Sequence, residues 1–166
     1  MKEDQLKILK TMSEATGRMD INSFAKSLDF TPSQTMAQIQ ELAKEGFLHN
    51  SGHGYSFTTK GKNALKISAK VSDKTAFNFY EDMDKPLDIS ATSLEEFYRS
   101  IKQVCSESID FHTYRGDFER WLGDVLNDKE IANEVTALKT KSFQGEKLRK
   151  ALLKTIDTKY GIGDLL

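Results

Sequence analysis

The sequence predicts a mainly α-helical protein that carries two small β-hairpins. Three observations support this fold class. Apolar residues recur at spacings of three and four along most of the chain, residues that cap helices stand ahead of these segments, and two pairs of short strand-like stretches each enclose turn residues. The composition, 38% hydrophobic and 30% charged with only two prolines in 166 residues, is typical of a globular, helix-rich chain.

The first domain is predicted to span residues 1–71 and to begin with two short helices. Apolar residues at helical spacing in 4–15 predict the first helix, and Gly17 is a natural stop after it. A second helix is expected directly after Asp20, because an aspartate in that position accepts hydrogen bonds from the first free backbone N–H groups.

The third helix has the clearest start signal in the chain. Thr31 is its expected N-cap, Pro32 occupies the first helical position, and Gln34 completes a Thr-x-x-Gln capping box. Gly46 is expected to end the helix.

After the third helix the periodicity changes to that of a hairpin. Residues 47–50 and 55–58 read as two short strands around the flexible tip 51–54, and 62–70 returns to helical spacing. Three helices, a hairpin and a further helix are the order of elements in a winged helix-turn-helix.

The segments LAKEGFL (42–48) and YSFTTKGKNAL (55–65) resemble the passage from third helix to wing in MarR- and PadR-like bacterial and archaeal regulators. The resemblance implies a winged helix-turn-helix domain whose third helix enters the major groove of duplex DNA. It also implies a set of DNA-facing residues on this helix and the wing: Ser33, Gln34, Ala37, Gln38, Glu41, His53, Lys60 and Lys62.

The third helix departs from a typical DNA reader in its charge. No Lys or Arg occurs from Thr31 to Ala43, and Glu41 is acidic, whereas phosphate contacts dominate affinity for DNA. Flanking lysines or duplication in a homodimer can compensate; the lysines are Lys26, Lys44, Lys60, Lys62 and Lys66. The alternative is a protein-interaction adaptor that uses the winged helix without DNA.

Charge is divided unevenly between the two halves of the chain. Residues 1–70 contain ten Lys and Arg against seven Asp and Glu, and residues 71–166 contain fourteen against eighteen. This asymmetry favours a first domain that faces nucleic acid and a second domain with a different task.

The second domain, residues 72–166, is predicted to open with a hairpin and continue as helices. Residues 76–80 and 87–90 have strand-like composition around a turn-rich loop, 81–86. Ser93 and Glu96 form a capping box that starts the next helix.

Two left-handed corners are expected farther along the second domain. Gly116 ends a helix that carries His112, and Asp117 is the predicted N-cap of the following helix. Asn127 and Asp128 repeat the same arrangement. A last helix is expected over 145–159, and the final three residues form a frayed or partner-bound tail.

The second domain also resembles an archaeal domain family of unknown function. The resemblance lies in Ser93–Phe97, in the pattern His-x-x-Arg-Gly-Asp-Phe-x-x-Trp at His112–Trp121, and in Val125–Asp128, where Asn127 stands in place of the usual Gly. It implies a fold and brings no activity with it.

His112 and Arg115 are the candidate ligand cluster, because three-residue spacing on a helix places them side by side, where they can hold an anion. The structural alternative has Asp117 as a cap, Trp121 in the core and His112 bonded to a backbone carbonyl. No catalytic residue is assigned, and the protein is not expected to be an enzyme.

Neither a metal nor a cofactor is predicted. His49 and His53 have the spacing of a zinc pair on a helix, but a hairpin lacks that geometry. Cys105 is the single cysteine, which favours a reducing compartment, and no run of about 18–20 apolar residues predicts a membrane span. The sequence therefore predicts a cytoplasmic, transcription-related protein that binds double-stranded DNA. Its second domain is expected to form a homodimer, sense a ligand or dock a protein partner.

Overall fold

The computed structural model describes residues 1–165, which form two compact units. The first unit contains Met1–Lys66 with Asp164 and Leu165, and the second contains Ile67–Gly163. Both are mainly helical and each has one two-stranded antiparallel sheet, which confirms the predicted fold class. Within the described residues, no helix combines the length and apolarity needed to cross a membrane.

The first unit contains three helices, a hairpin and a fourth helix that continues into the second unit, in the predicted order. Its elements are α1 (Glu3–Glu14), α2 (Ile21–Ser27), α3 (Pro32–Lys44), β1 (Leu48–Asn50), β2 (Tyr55–Phe57) and α4 (Thr59–Ser68).

Side-chain caps start two of these helices as predicted. The carboxylate of Asp20 accepts hydrogen bonds from the first turn of α2. Thr31 Oγ1 accepts from the Gln34 N–H at 3.2 Å, and Gln34 Oε1 accepts from the Thr31 N–H at 3.0 Å. The capping box of α3 is therefore confirmed.

The core of the first unit is built from fully buried apolar side chains on every helix, together with two buried polar residues, Gln5 and Thr35. The apolar members include Ile8, Leu9, Ala25, Leu28, Leu42 and Ala64. Gln5 is only 1% exposed, and its Nε2 donates to Glu45 Oε2 at 3.0 Å. This bond joins residues far apart in sequence, which explains why periodicity did not predict a buried Gln.

Among its described residues the second unit contains a hairpin, five α-helices and three short irregular helices, of which the first precedes the hairpin and the last extends to Asp164. Its elements are a 3-10 turn (Asp73–Thr75), β3 (Phe77–Asp82), β4 (Lys85–Ala91), α5 (Leu94–Gln103), α6 (Ser106–Arg115), α7 (Asp117–Arg120), a π-helical turn (Trp121–Val125), α8 (Lys129–Lys139), α9 (Gly145–Tyr160) and a 3-10 turn (Ile162–Asp164).

The second hairpin is longer than predicted. The expected loop 81–86 is wrong, because pairing continues to Asp82 opposite Lys85 and only Met83 and Asp84 lie between the strands. Pro86 lies within β4, opposite Tyr80. Proline is tolerated there because a two-stranded sheet consists of edge strands, whose outer N–H groups need no partner in the sheet.

Aromatic rings form the centre of the second unit. The ring of Phe97 stacks on Trp121 with 5.2 Å between centroids, and Phe77 lies 5.2 Å from Phe118. All four side chains are buried. Such aromatic pairs contribute about 0.5–1.5 kcal/mol each beyond the apolar area they bury, so this cluster holds the hairpin against the helices.

The end of the chain differs from the predicted frayed tail as far as it is described. Ile162 is fully buried and Leu165 is 6% exposed. Leu166 lies outside the described residues.

Candidate functional site

The solvent face of α3 is a stripe of small and polar side chains. Ser33, Ala37, Gln40 and Lys44 are all exposed and follow one another at i, i+4, i+7 and i+11, which is one side of a helix. The opposite side of α3 is buried in the core. We call these four residues the α3 stripe. Gln40 lies outside the predicted DNA-facing set, and Lys44 is predicted only as a flanking cation.

Three of the predicted DNA-facing residues of α3 are placed less favourably for contact with DNA than the residues of the α3 stripe. Gln38 and Glu41 are half-buried at the edge of the stripe, and Gln38 Oε1 is closed to solvent without a hydrogen-bond partner in the described chain. Gln34 is exposed, but its Oε1 accepts hydrogen bonds from both N and Oγ1 of Thr31 at 3.0 Å. A two-point contact from Gln34 to a base therefore requires the α3 cap to open.

The two lysines predicted to contact DNA, Lys60 and Lys62, differ in their surroundings. Lys60 Nζ donates to the Glu45 carbonyl at 2.9 Å and lies 4.5 Å from the centre of the Phe47 ring, so it stabilises the end of α3. Lys62 is exposed on α4. It is therefore the better placed of the two for a phosphate.

The hairpin tip lies beside α3. The Ser51 N–H donates to the Gly54 carbonyl at 2.9 Å and closes the tip, where His53 is exposed. His53 lines a cavity of about 680 Å³ together with Met36 and Ile39 of α3.

Across residues 1–165, no group of three or more His, Cys, Asp or Glu has the geometry to hold a metal ion.

The corner between α6 and α7 holds the other candidate residues. Gly116 adopts the predicted left-handed conformation, with φ 79° and ψ 19°. The predicted N-cap role of Asp117 is wrong, because Asp117 is already the first residue of α7 and its side chain caps no backbone N–H. Its carboxylate instead accepts from three side chains: His112 Nδ1 at 2.9 Å, Arg115 Nε at 3.3 Å, and Arg120.

His112 is buried, with 3% of its surface exposed, and both ring nitrogens are bonded. Nε2 accepts from the backbone N–H of Tyr80 at 2.8 Å, so the expected bond to a backbone carbonyl is wrong. An accepting Nε2 carries no proton, which places the proton of the neutral ring on Nδ1, facing Asp117. Burial lowers the pKa of His112 and outweighs the opposing effect of the Asp117 carboxylate.

Asp117 remains ionised in this corner. Burial alone would raise its pKa, but the hydrogen bonds from His112 and Arg120 and the charge of Arg115 lower it below its ordinary value. The corner therefore contains two guanidinium groups, one carboxylate and a neutral imidazole, with a net positive charge.

The structure brings the two residues of the predicted ligand cluster together at a cavity of about 430 Å³ in the second unit. His112 and Arg115 both line it, beside aromatic walls from β3, α6 and the π-helical turn: Phe77, Tyr80, Phe111 and Trp121. Tyr80 and Met83 also line the cavity and are not predicted from the sequence, because β3 and its turn meet α6 only in the folded unit. No local spacing signals such a contact.

Comparison with known proteins supports a regulator of the helix-turn-helix type. The HTH-type transcriptional regulator MntR of Oceanobacillus iheyensis is 26% identical to this chain over 126 residues, which cover 75% of the chain and 76% of the relative. No solved structure matches the chain. The narrower assignment to MarR- or PadR-like regulators stays a prediction.

A family match covers most of the second unit. The match extends over residues 74–164, more than half of the chain, and includes the whole cavity beside α6. Its description is a family of unknown function, DUF5752, which agrees with the prediction that this half belongs to a family without a known activity. The chain therefore belongs to the DUF5752 family.

Proposed function

We propose that this protein is a transcription regulator that binds double-stranded DNA through its first unit, used as a winged helix-turn-helix. The similarity to an HTH-type regulator and the order of α1–α4 with β1 and β2 support this function. The observation that carries it is the α3 stripe, a continuous exposed face free of acidic and large apolar side chains.

The chemistry of the stripe suits a DNA groove. Ala37 allows close approach, and the carboxamide of Gln40 offers a donor and an acceptor that match the edge of adenine in the major groove. Ser33 can donate to a phosphate, and Lys44 and Lys62 supply positive charge at the margins.

The second unit has a regulatory role in this proposal, through oligomerisation, ligand sensing or partner docking. A homodimer would present two copies of α3 and double the number of phosphate contacts. This duplication offsets the small positive charge of a single first unit.

The test is selection of binding sites from a random-sequence duplex library with the full chain. Gln40→Ala is expected to change the base preferred at one position of the selected site and to weaken binding to the wild-type site by about 1–3 kcal/mol. Gln38→Ala is the matched control, because Gln38 lies off the stripe and is half-buried. It is expected to select the wild-type sequences.

Identical selected sequences for wild type and Gln40→Ala would contradict the assignment of α3 as the reading helix. Circular dichroism of both variants checks that α3 is still folded.

A further inference from the structure

We infer that the cavity beside α6 in the second unit is a binding site for a small aromatic carboxylate. This inference goes beyond DNA binding and stands without it, because every residue that carries it lies within Ile67–Gly163. The volume of about 430 Å³ is within the usual range of small-molecule sites.

Arg115 supplies the recognition of the anion. Its side chain is 45% exposed at the cavity, and its guanidinium lies 4.8 Å from the centre of the Phe111 ring. Nε is bonded to Asp117, and Nη1 points at the thioether of Met83, a weak acceptor. Nη2 has no partner among the described residues. A ligand carboxylate can therefore displace the thioether and accept two parallel hydrogen bonds from Nη1 and Nη2.

The carboxylate of Asp117 does not cancel this charge. One oxygen accepts from Arg120 and the other from His112 and Arg115, so both oxygens are occupied before any ligand arrives. Arg120 neutralises Asp117 from outside the cavity. Arg115 thus remains available to an anion.

The rest of the cavity favours a planar apolar body. Phe77, Phe111 and Trp121 present rings to it. The indole N–H of Trp121 donates to the Thr75 carbonyl at 2.8 Å, so only the apolar part of the indole is left for a ligand. Bonds at both ring nitrogens also hold His112 in place. The walls are therefore formed in advance, and little ordering is needed on binding.

The test uses the intrinsic fluorescence of the full chain, in which Trp121 is the single tryptophan. Benzoate and phenylacetate are expected to change the Trp121 emission in a saturable way. Benzamide, which lacks the charge, and acetate, which lacks the ring, are expected to bind at least about tenfold more weakly.

Two matched variants separate this site from a general charge effect. Arg115→Gln is expected to weaken benzoate binding about ten- to a hundredfold. Arg99→Gln removes the same charge from an exposed arginine of α5 that pairs with Glu95 and does not line the cavity, and it is expected to retain binding within about threefold of wild type. Absence of a saturable signal with both acids, or equal losses in the two variants, would overturn the inference. Neither result depends on whether the chain binds DNA.

Discussion

At the scale of single residues, His112 links β3 to the corner after α6. It accepts from the Tyr80 N–H and donates to Asp117, and only the neutral ring with its proton on Nδ1 can make both bonds. Protonation of Nε2 would place two donors against each other and leave the Tyr80 N–H unpaired. Such a loss costs about 1–3 kcal/mol when the group is buried.

This geometry predicts a loss of stability as the pH falls below 6.5, the ordinary pKa of histidine. Because burial lowers the pKa of His112 in the folded protein, the unfolded chain takes up the proton first, and the free energy of unfolding decreases through this range. Thermal unfolding followed by circular dichroism between pH 7.5 and 4.5 measures the effect; these limits bracket about two pH units below the histidine value.

The titration of Glu96 does not contribute to the expected loss of stability between pH 7.5 and 4.5. Although burial raises its pKa, hydrogen bonds from Lys70 and Thr92 lower it to about 2, so its stabilising effect declines only below 4.5, the ordinary value for glutamate. His112→Gln, whose amide oxygen can accept the Tyr80 N–H but does not titrate, is expected to flatten the pH dependence. His53→Gln, at the exposed hairpin tip, should retain it. A steep pH dependence that survives in His112→Gln would contradict this account.

The role of His112 shows the limit of reading single residues from sequence. Its position on α6, before a left-handed Gly116, follows from local rules of helix termination and is confirmed. Its partner at Tyr80 lies on a different element, and only the packing of β3 on α6 brings them together. The capping role predicted for Asp117 is wrong for a similar reason, because its carboxylate pairs with the side chains of Arg115 and Arg120 instead.

At the scale of elements, the corner between α6 and α7 depends on Gly116. Its φ of 79° is strained for any residue with a Cβ, and an added Cβ would lie 2.9 Å from Glu119 Oε1 and 3.2 Å from Lys139 Nζ. Gly116→Ala is therefore expected to lower the free energy of unfolding by about 1–2 kcal/mol. Urea denaturation at neutral pH gives this value.

Gly17→Ala is the matched control for this substitution. Gly17 does not need a positive φ, and nothing lies within 4 Å of an added Cβ. It is expected to be neutral or slightly stabilising, because alanine restricts the unfolded chain more than glycine does. Equal losses in both variants would show that the corner has no special conformational requirement.

Helix starts and stops could be predicted from sequence because their signals are local. The caps at Asp20, Thr31, Ser93 and Asp128 all accept the expected backbone hydrogen bonds. The strand ends of the second hairpin could not be predicted from sequence. Pro86 and its charged neighbours are typical of turns, and only pairing with β3 holds them in an extended conformation. The π-helical turn at Trp121 was missed because its apolar spacing resembles that of an α-helix.

At the scale of the whole molecule, the two units separate the proposed tasks. The α3 stripe is in the first unit, and the cavity with Arg115 is in the second, within the DUF5752 match. Residue-level chemistry alone could not choose between DNA binding and a protein adaptor, since the excess positive charge of residues 1–70 is small. The similarity to an HTH-type regulator favours DNA.

The most direct measurement is fluorescence anisotropy of the full chain with labelled random duplex DNA, from about 50 to 200 mM salt. Affinity is expected to fall steeply with salt. Lys44→Gln and Lys62→Gln should each reduce the slope by about one unit, whereas Lys154→Gln, at an exposed position of α9, should leave it unchanged. Absence of binding at the lowest salt would contradict the proposed function and favour an adaptor that binds protein through the same unit.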